Sequence, residues 1–335
     1  MKSVDNIQSV GTLLQQFFTQ HLQEQRNVSQ CTVAAYRDTF RLLLNFADKE
    51  LGKRPAELTL ADLDAKLVLA FLDYLEKERN NTIRTRNSRL ASIRSFMHFV
   101  SFKEPQAIAI CGQVLAVPVK RYERPLIGYV SREEIQAILQ APDENTWSGQ
   151  RDRVLFATMY NTGARVSELI GMRVSDLTIS ESAAIRIHGK GRKLRTVPIW
   201  KSTARQLKQW LTVAALAHDQ SLFPNRRGVQ LTRTGITDRL TLATQRAATT
   251  CASLNGQRVT PHIVRHSTAM HLLQSGIDIT IIALWLGHES SATTHGYIAA
   301  DLAMKESAMG SLEPPDQGCI RFKPSDELLR FLDTL

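Results

Sequence analysis

Along almost the whole chain the apolar residues return every three or four positions, and only the stretch from 184 to 200 alternates. Spacing of three and four is the period of a half-buried helix, whereas alternation is the period of a strand with one covered face. A chain patterned this way folds mainly as α-helices with one small antiparallel β-sheet. Its 335 residues exceed what a single hydrophobic core usually supports, so two domains are expected.

Local signals place the elements. Ser29 stands where it can cap a helix carrying Val33, Tyr36, Phe40, Leu43 and Leu44. Thr59 and Asp62 have the spacing of a capping box, which predicts a helix with Leu63, Leu67, Ala70, Phe71 and Tyr74 on its covered side. A further helix is predicted from about Thr82 to Val100, with Leu90, Ile93, Met97 and Val100 as its stripe. Periodicity fades from Gly112 to Tyr129, where Pro118, Lys120, Arg121, Arg124 and Pro125 gather, the composition of a linker. The expected organisation is a helical N-terminal domain over 1–111, a linker over 112–129, a second domain over 130–312 and a tail over 313–335. Ser131 and Glu134 supply a capping box where the second domain opens. Within it, 184–188 and 194–200 flank Gly189-Lys-Gly-Arg-Lys193 and read as a hairpin, with Pro198 marking an edge strand. Helices are expected near 202–217, 235–250, 261–274 and 278–286, the last two separated at Gly276.

Lys and Arg outnumber Asp and Glu by 42 to 32, a net charge of +10, and the arginines recur throughout instead of forming a detachable tail. A polyanionic partner is implied, nucleic acid first. Arg37, then Arg84, Arg86, Arg89 and Arg94 on the helix from Thr82, and Lys120 and Arg121 in the linker are candidates for phosphate contact. The ordinary alternative for each is a solvated face. Cys31, Cys111, Cys251 and Cys319 are scattered without Cys-x-x-Cys spacing and read as free thiols in a reducing compartment. The first residues lack the apolar core of a signal peptide and no apolar run reaches spanning length, so a cytoplasmic, nucleoid-associated protein without membrane contact is expected.

The chemistry gathers in the second domain. Arg165 lies in Gly163-Ala-Arg-Val-Ser-Glu-Leu169; His262 and Arg265 are three apart, on one side of a helix that Pro261 starts; His288 ends Leu286-Gly-His288; Tyr297 follows nine residues later. Two arginines, two histidines and a tyrosine suit a phosphodiester. Guanidinium and imidazole donors can meet the charge that develops on phosphoryl oxygens, and a tyrosine hydroxyl can attack phosphorus to form a covalent intermediate. Among the six tyrosines only Tyr297 has this setting: Tyr36 and Tyr74 fall on helical stripes, Tyr122 and Tyr129 flank the linker, and Tyr160 lies in an apolar helix. Lys190, Arg192 and Lys193 sit at the hairpin tip, and the residues alone leave open which lysine approaches the reacting group. Each residue taken singly has a bland alternative: an ion pair of Arg165 with Glu168, a core histidine at 262, a helix cap at His288. His266, next to Arg265, points elsewhere on the helix and reads as structural, holding the site from behind. There is no Gly-x-x-x-x-Gly-Lys-Ser/Thr loop and no carboxylate cluster spaced for two metals, so neither cofactor nor metal is expected.

In order and spacing, Gly163-Ala-Arg-Val-Ser-Glu-Leu169, Gly189-Lys190-Gly191, His262-x-x-Arg265-His266 and Leu286-Gly-His288 with Tyr297 resemble the catalytic domain of the tyrosine recombinases, or phage integrase family, with Xer-like spacing. The resemblance implies a site-specific DNA recombinase, serving integration, excision or resolution, that closes on DNA as a two-domain clamp. It implies Tyr297 as nucleophile forming a 3′-phosphotyrosine, Arg165 and Arg265 as clamps on the phosphate, His262 and His288 beside them, and Lys190 as the general acid. It further implies double-stranded DNA with paired inverted half-sites, four protomers on two duplexes, and other recombinases or DNA-bending proteins as further partners. The family donates a helix after the tyrosine to its neighbour; residues 301–335, with helices expected over 301–309 and from Ser325, are the candidates, and packing within the same protomer is the alternative. A type IB topoisomerase would use nearly the same site, and a non-catalytic DNA-binding relative would keep the basic surfaces.

Overall fold

The computed structural model describes residues 8–122, 128–180, 182–189 and 193–287, and the chain divides into two compact units, the division falling after residue 124. The first unit is helical throughout its described residues. Helix α1 (Val10–Gln16), capped by Ser9, runs on as π-helical turns over Phe17–Gln25. Helix α2 (Gln30–Leu51) starts where expected, Ser29 Oγ accepting from the Thr32 amide at 3.3 Å. The capping box at Thr59 forms, its amide donating to Asp62 at 2.8 Å, but it closes only a 3₁₀ turn, Leu60–Leu63. Asp64 then has extended backbone, and its carboxylate starts α3 (Ala65–Lys77) by accepting from the Leu67 amide at 2.7 Å. Helix α4 (Ile83–Lys103) begins at Thr82 and continues about a turn beyond Val100. Helix α5 (Ile108–Ala116) carries regular structure into the stretch where periodicity fades, with Cys111 and Val114 buried, so irregular backbone begins only at 117. This helix is apolar nearly all round, so no stripe stands out in its sequence. Phe96 anchors the core, its ring 5.4 Å from Phe17 and 5.2 Å from Phe40 in edge-to-face contact. Burying such a ring stabilises by about 1.5–3 kcal/mol.

The second unit opens with α6 (Arg132–Gln140) on its capping box, the Ser131 amide donating to Glu134 at 2.7 Å and the Glu134 amide to Ser131 Oγ at 3.2 Å. Helices α7 (Trp147–Thr162) and α8 (Val166–Gly171) lead into a sheet of β1 (Leu177–Thr178), β2 (Ala184–His188) and β3 (Leu194–Pro198), antiparallel in that order. Pro198 thus stands on an outer strand, as its missing N–H requires. Four more helices follow: α9 (Lys201–Ala214), α10 (Arg233–Ala247), α11 (Pro261–Gln274) and α12 (Ile279–Leu286). The architecture is therefore mainly helical with one small antiparallel sheet. Leu155, Phe156, Met159, Ile185, Ile187, Leu207 and Trp210 form the core of the unit. Helix α11 is fastened to α7 by Thr268 Oγ1, which donates to the Tyr160 carbonyl at 2.7 Å, and to the start of the unit by the Val130 amide donating to Ser267 Oγ at 3.0 Å. Among the described residues no helix is long and apolar enough to cross a membrane.

Candidate active site

Helix α7 ends at Gly163, whose φ of +58° is left-handed, and a Cβ there would lie 2.4 Å from Leu286 Cδ2. Glycine is required on both counts. The turn delivers Arg165 to the cap of α8, where its amide donates to Glu168 Oε2 and its Nη1 to Glu168 Oε1, both at 2.9 Å. One carboxylate therefore sets the backbone and the side chain of Arg165 together.

Arg265, buried on α11, donates through Nη1 to the Gly163 carbonyl at 2.6 Å and through Nη2 to the Leu286 carbonyl at 2.8 Å. Arg165 Nη2 reaches the next carbonyl, Gly287, at 3.2 Å, and Arg195 Nε reaches the preceding one, Trp285, at 3.0 Å. Three guanidinium groups thus take three consecutive carbonyls where α12 ends. The last carbonyls of a helix have no partner within it and carry the negative end of its dipole, so cations are stabilised there. The chain leaves α12 from a fixed position, immediately ahead of residue 288.

Arg195 also forks onto Glu168, at 2.7 Å from Nη2 and 3.2 Å from Nη1. Burial raises the pKa of Glu168, but hydrogen bonds from Arg195 and from the Arg165 amide outweigh it and hold the carboxyl below its usual range. Glu168 is thus shared by two arginines, Arg165 and Arg195. Arg265 is 3% exposed, whereas the Arg165 side chain is 37% exposed. This is a preorganised cationic site open to an anion through Arg165.

His262 is exposed on the first turn of α11, which Thr260 caps by accepting from the Ile263 amide at 3.3 Å. Its ring centroid lies 4.1 Å from that of His266. His266 is therefore on the side of His262, four residues on, and packs beside it instead of behind the site. At the hairpin the Gly189 amide donates to the Lys193 carbonyl at 2.8 Å, and His188 Nε2 stands 3.1 Å from the buried Asp176. Lys193 is exposed. Lys190, Arg192, His288 and Tyr297 lie outside the described residues, as do residues 301–335 with their two expected helices.

The basic residues of the first unit separate into two groups. Arg37, Arg84 and Arg121 are exposed, Arg37 paired with Asp38 at 3.1 Å. Arg86 is buried instead, its Nη1 donating to the Pro118 carbonyl at 3.2 Å and its Nε 3.4 Å from Glu76, which also holds Lys120 Nζ at 2.8 Å. Arg94 Nη2 donates to the Val117 carbonyl, and Arg89 Nη1 to Thr39 Oγ1 at 3.1 Å. This corrects the expectation of phosphate contact for Arg86, which is buried where α4 is covered by α2, α3, α5 and residues 117–120, with Pro118 and Glu76 as its partners.

Arg195 had no place among the expected site residues. Along β3 the covered side carries Arg195 and Val197, while Leu194 is 60% exposed. An arginine in the phase of the buried residues was the available signal, masked by the leucine beside it.

The model of the phage integrase family matches residues 129–304, and that of the phage integrase N-terminal SAM-like domain matches residues 14–102. The chain is 44% identical over 327 residues, 98% of each protein, to "Putative integrase/recombinase y4rC" of Sinorhizobium fredii (strain NBRC 101917 / NGR234). It is 31% identical to the tyrosine recombinase XerC of Pelotomaculum thermopropionicum, over 84% of this chain and 91% of that one. The chain belongs to the phage integrase family, the site-specific tyrosine recombinases. Among solved structures, XerH bound to palindromic difH substrate matches with a TM-score of 0.68 at 21% identity, covering 85% of this chain and 81% of that one. A lambda integrase tetramer bound to a Holliday junction matches at 0.59 and 18%, covering 88% and 78%. At these identities the likeness is one of fold.

Proposed function

We propose that this chain cuts and rejoins double-stranded DNA through a 3′-phosphotyrosine on Tyr297, with Arg165 and Arg265 as the cationic partners of the scissile phosphate. The observation that supports this reading is the convergence of the two arginines on adjacent carbonyls, Gly287 and Leu286, directly ahead of His288. The tyrosine oxygen attacks phosphorus, the bond to the 5′-oxygen breaks, and a free 5′-hydroxyl remains. Because the phosphodiester bond energy is kept in the intermediate, the hydroxyl of a partner strand can reverse the step without ATP. Charge gained by the non-bridging oxygens is met by Arg165 and Arg265, with His262 and His288 as further donors. Lys190, or Lys193 on the same hairpin, protonates the departing oxygen. Exposed Arg37, Arg84, Arg121 and Lys193, together with Arg192, serve the DNA backbone. The DNA complexes of XerH and lambda integrase support paired half-sites held by several protomers, four on two duplexes.

The test uses duplexes selected for binding from a random-sequence pool and nicked to trap the covalent adduct. Wild type should form the adduct, and Tyr297→Phe should form none while its affinity changes by less than about twofold, since one hydroxyl is lost. Adduct formation by Tyr297→Phe would sink the assignment. Transfer of label from one duplex to another marks recombination; return of the original strand alone would mark a relaxing enzyme.

A further inference from the structure

Glu168 is a liability for the site just described. A carboxylate 2.9 Å from Arg165 Nη1, buried and ionised, would by itself cancel the charge that Arg165 is to present to a phosphate. Arg195 changes that balance: its fork places two donors on the two oxygens of Glu168, at 3.2 and 2.7 Å, and its side chain is only 12% exposed. Two arginines then share one carboxylate and one positive charge remains, on the more exposed of the two, Arg165. The third donor group of Arg195, Nε, holds the Trp285 carbonyl at 3.0 Å, so the same side chain fixes the end of α12 beside the carbonyls that Arg165 and Arg265 take. The backbone at the end of α12 packs closely on this side chain: a Cβ on Gly287 would lie 3.0 Å from Arg195 Nη1.

Resting on the reading of Arg165 as a phosphate partner, we infer that Arg195 is a positioning residue of the strand-cleavage reaction, neutralising Glu168 so that Arg165 keeps its charge for the phosphate and holding the end of α12 in register with it. Arg195 touches neither substrate nor nucleophile in this role. Its effect passes through Glu168 and the Trp285 carbonyl.

The discriminating experiment is an electrostatic rescue in the full chain. Single-turnover cleavage of the nicked duplex is measured at saturating protein for wild type, Arg195→Gln, and the double variant Arg195→Gln with Glu168→Gln, with affinity read by gel shift. Arg195→Gln should slow cleavage on the order of tenfold to a hundredfold, the scale on which outer partners of catalytic groups act. The double variant should cleave faster than Arg195→Gln, because removing the carboxylate returns the charge of Arg165. Arg195 in a merely structural role gives the opposite order, since the second substitution strips more hydrogen bonds from one network. Arg195→Gln at the wild-type rate, or a double variant no faster than the single, overturns the inference. If Arg195→Gln loses its cooperative melt, Arg195→Met, which keeps the length of the stem, replaces it in both backgrounds under the same criteria. Absence of an adduct with wild type instead overturns the reading of the site on which the inference stands.

Discussion

In the N-terminal unit Arg86 and Arg94 donate to the carbonyls of Pro118 and Val117; in the C-terminal unit Arg195, Arg265 and Arg165 donate to those of Trp285, Leu286 and Gly287. Both units use arginine forks to fasten a segment that has no ladder of its own. They differ in how far the arginines are exposed. Glu76 faces both Arg86 and Lys120, and the Arg86 side chain is 7% exposed, so nothing of its charge reaches the surface. At the end of α12 Glu168 is shared by Arg165 and Arg195, and the Arg165 side chain is 37% exposed. A run of arginines in sequence is therefore not a phosphate surface in itself, because its members can be taken up by the protein's own carbonyls.

Substitution to alanine in the two places should separate them most widely. On the proposed reading, Arg165→Ala and Arg265→Ala should each cost about 2.7–4 kcal/mol of oxyanion stabilisation, or roughly a hundred- to a thousandfold in single-turnover cleavage. Arg86→Ala and Arg94→Ala should leave the cleavage rate of saturated complexes within about twofold and instead lower the melting temperature, since the Pro118 and Val117 carbonyls and Glu76, which they serve, belong to the protein itself. Equal losses of rate in both places would dissolve the distinction. For Arg86→Ala the expected destabilisation is about 1–3 kcal/mol, because Glu76 and the Pro118 carbonyl lose a donor while Lys120 still serves the carboxylate.

Gly163→Ala tests the clasp from its backbone side. It introduces left-handed strain of about 1 kcal/mol and drives a methyl group into Leu286, on the α12 segment whose carbonyls the arginines hold. All four tryptophans, Trp147, Trp200, Trp210 and Trp285, lie in the second unit, so their fluorescence follows its unfolding alone. Gly163→Ala should lower that transition and slow cleavage together. A variant that lost stability yet cleaved at the wild-type rate would show that the register of α12 does not matter to the reaction.

Much of this arrangement was legible in sequence because its causes are local. The Ser131 and Glu134 box, the start of α11 at Pro261 and the hairpin around Gly189 depend on residues within a few positions of one another. Arg165 and Arg265 could be named from the sequence, and the structure brings both to the end of α12; their partners could not be read. Arg86 and Arg94 bond carbonyls 32 and 23 residues away in a segment without periodicity, and no local rule predicts an inward turn from that. Arg195 lies 27 residues from Glu168 and 90 from Trp285, and Leu194 beside it gave the strand the wrong apparent phase. Thr59 failed differently. Its box was real, but Asp64 five residues on supplied a second cap, and the longer helix took that one.

The smallest expected effect concerns pH and lies in the second unit. His271 is buried in the second unit with Nδ1 2.8 Å from Tyr160 Oη; Tyr129 packs edge-on against it, Arg132 donates to its carbonyl at 3.2 Å, and Glu133 is the nearby negative charge. Burial first and the charge of Arg132 second push its pKa below the usual value of 6.5, Glu133 opposing them. The folded unit therefore resists a proton that the unfolded chain accepts. The resulting stability is complete above pH 6.5 and declines as pH falls through that value towards the lowered folded-state pKa. Tryptophan-monitored melting should fall between about pH 7.5 and 5.5, by about 1.4 kcal/mol for each unit by which the pKa is depressed. His271→Gln keeps a partner for the Tyr160 hydroxyl but cannot titrate, so its transition should flatten across that interval. An undiminished slope in His271→Gln would assign the acid sensitivity of the second unit to another group.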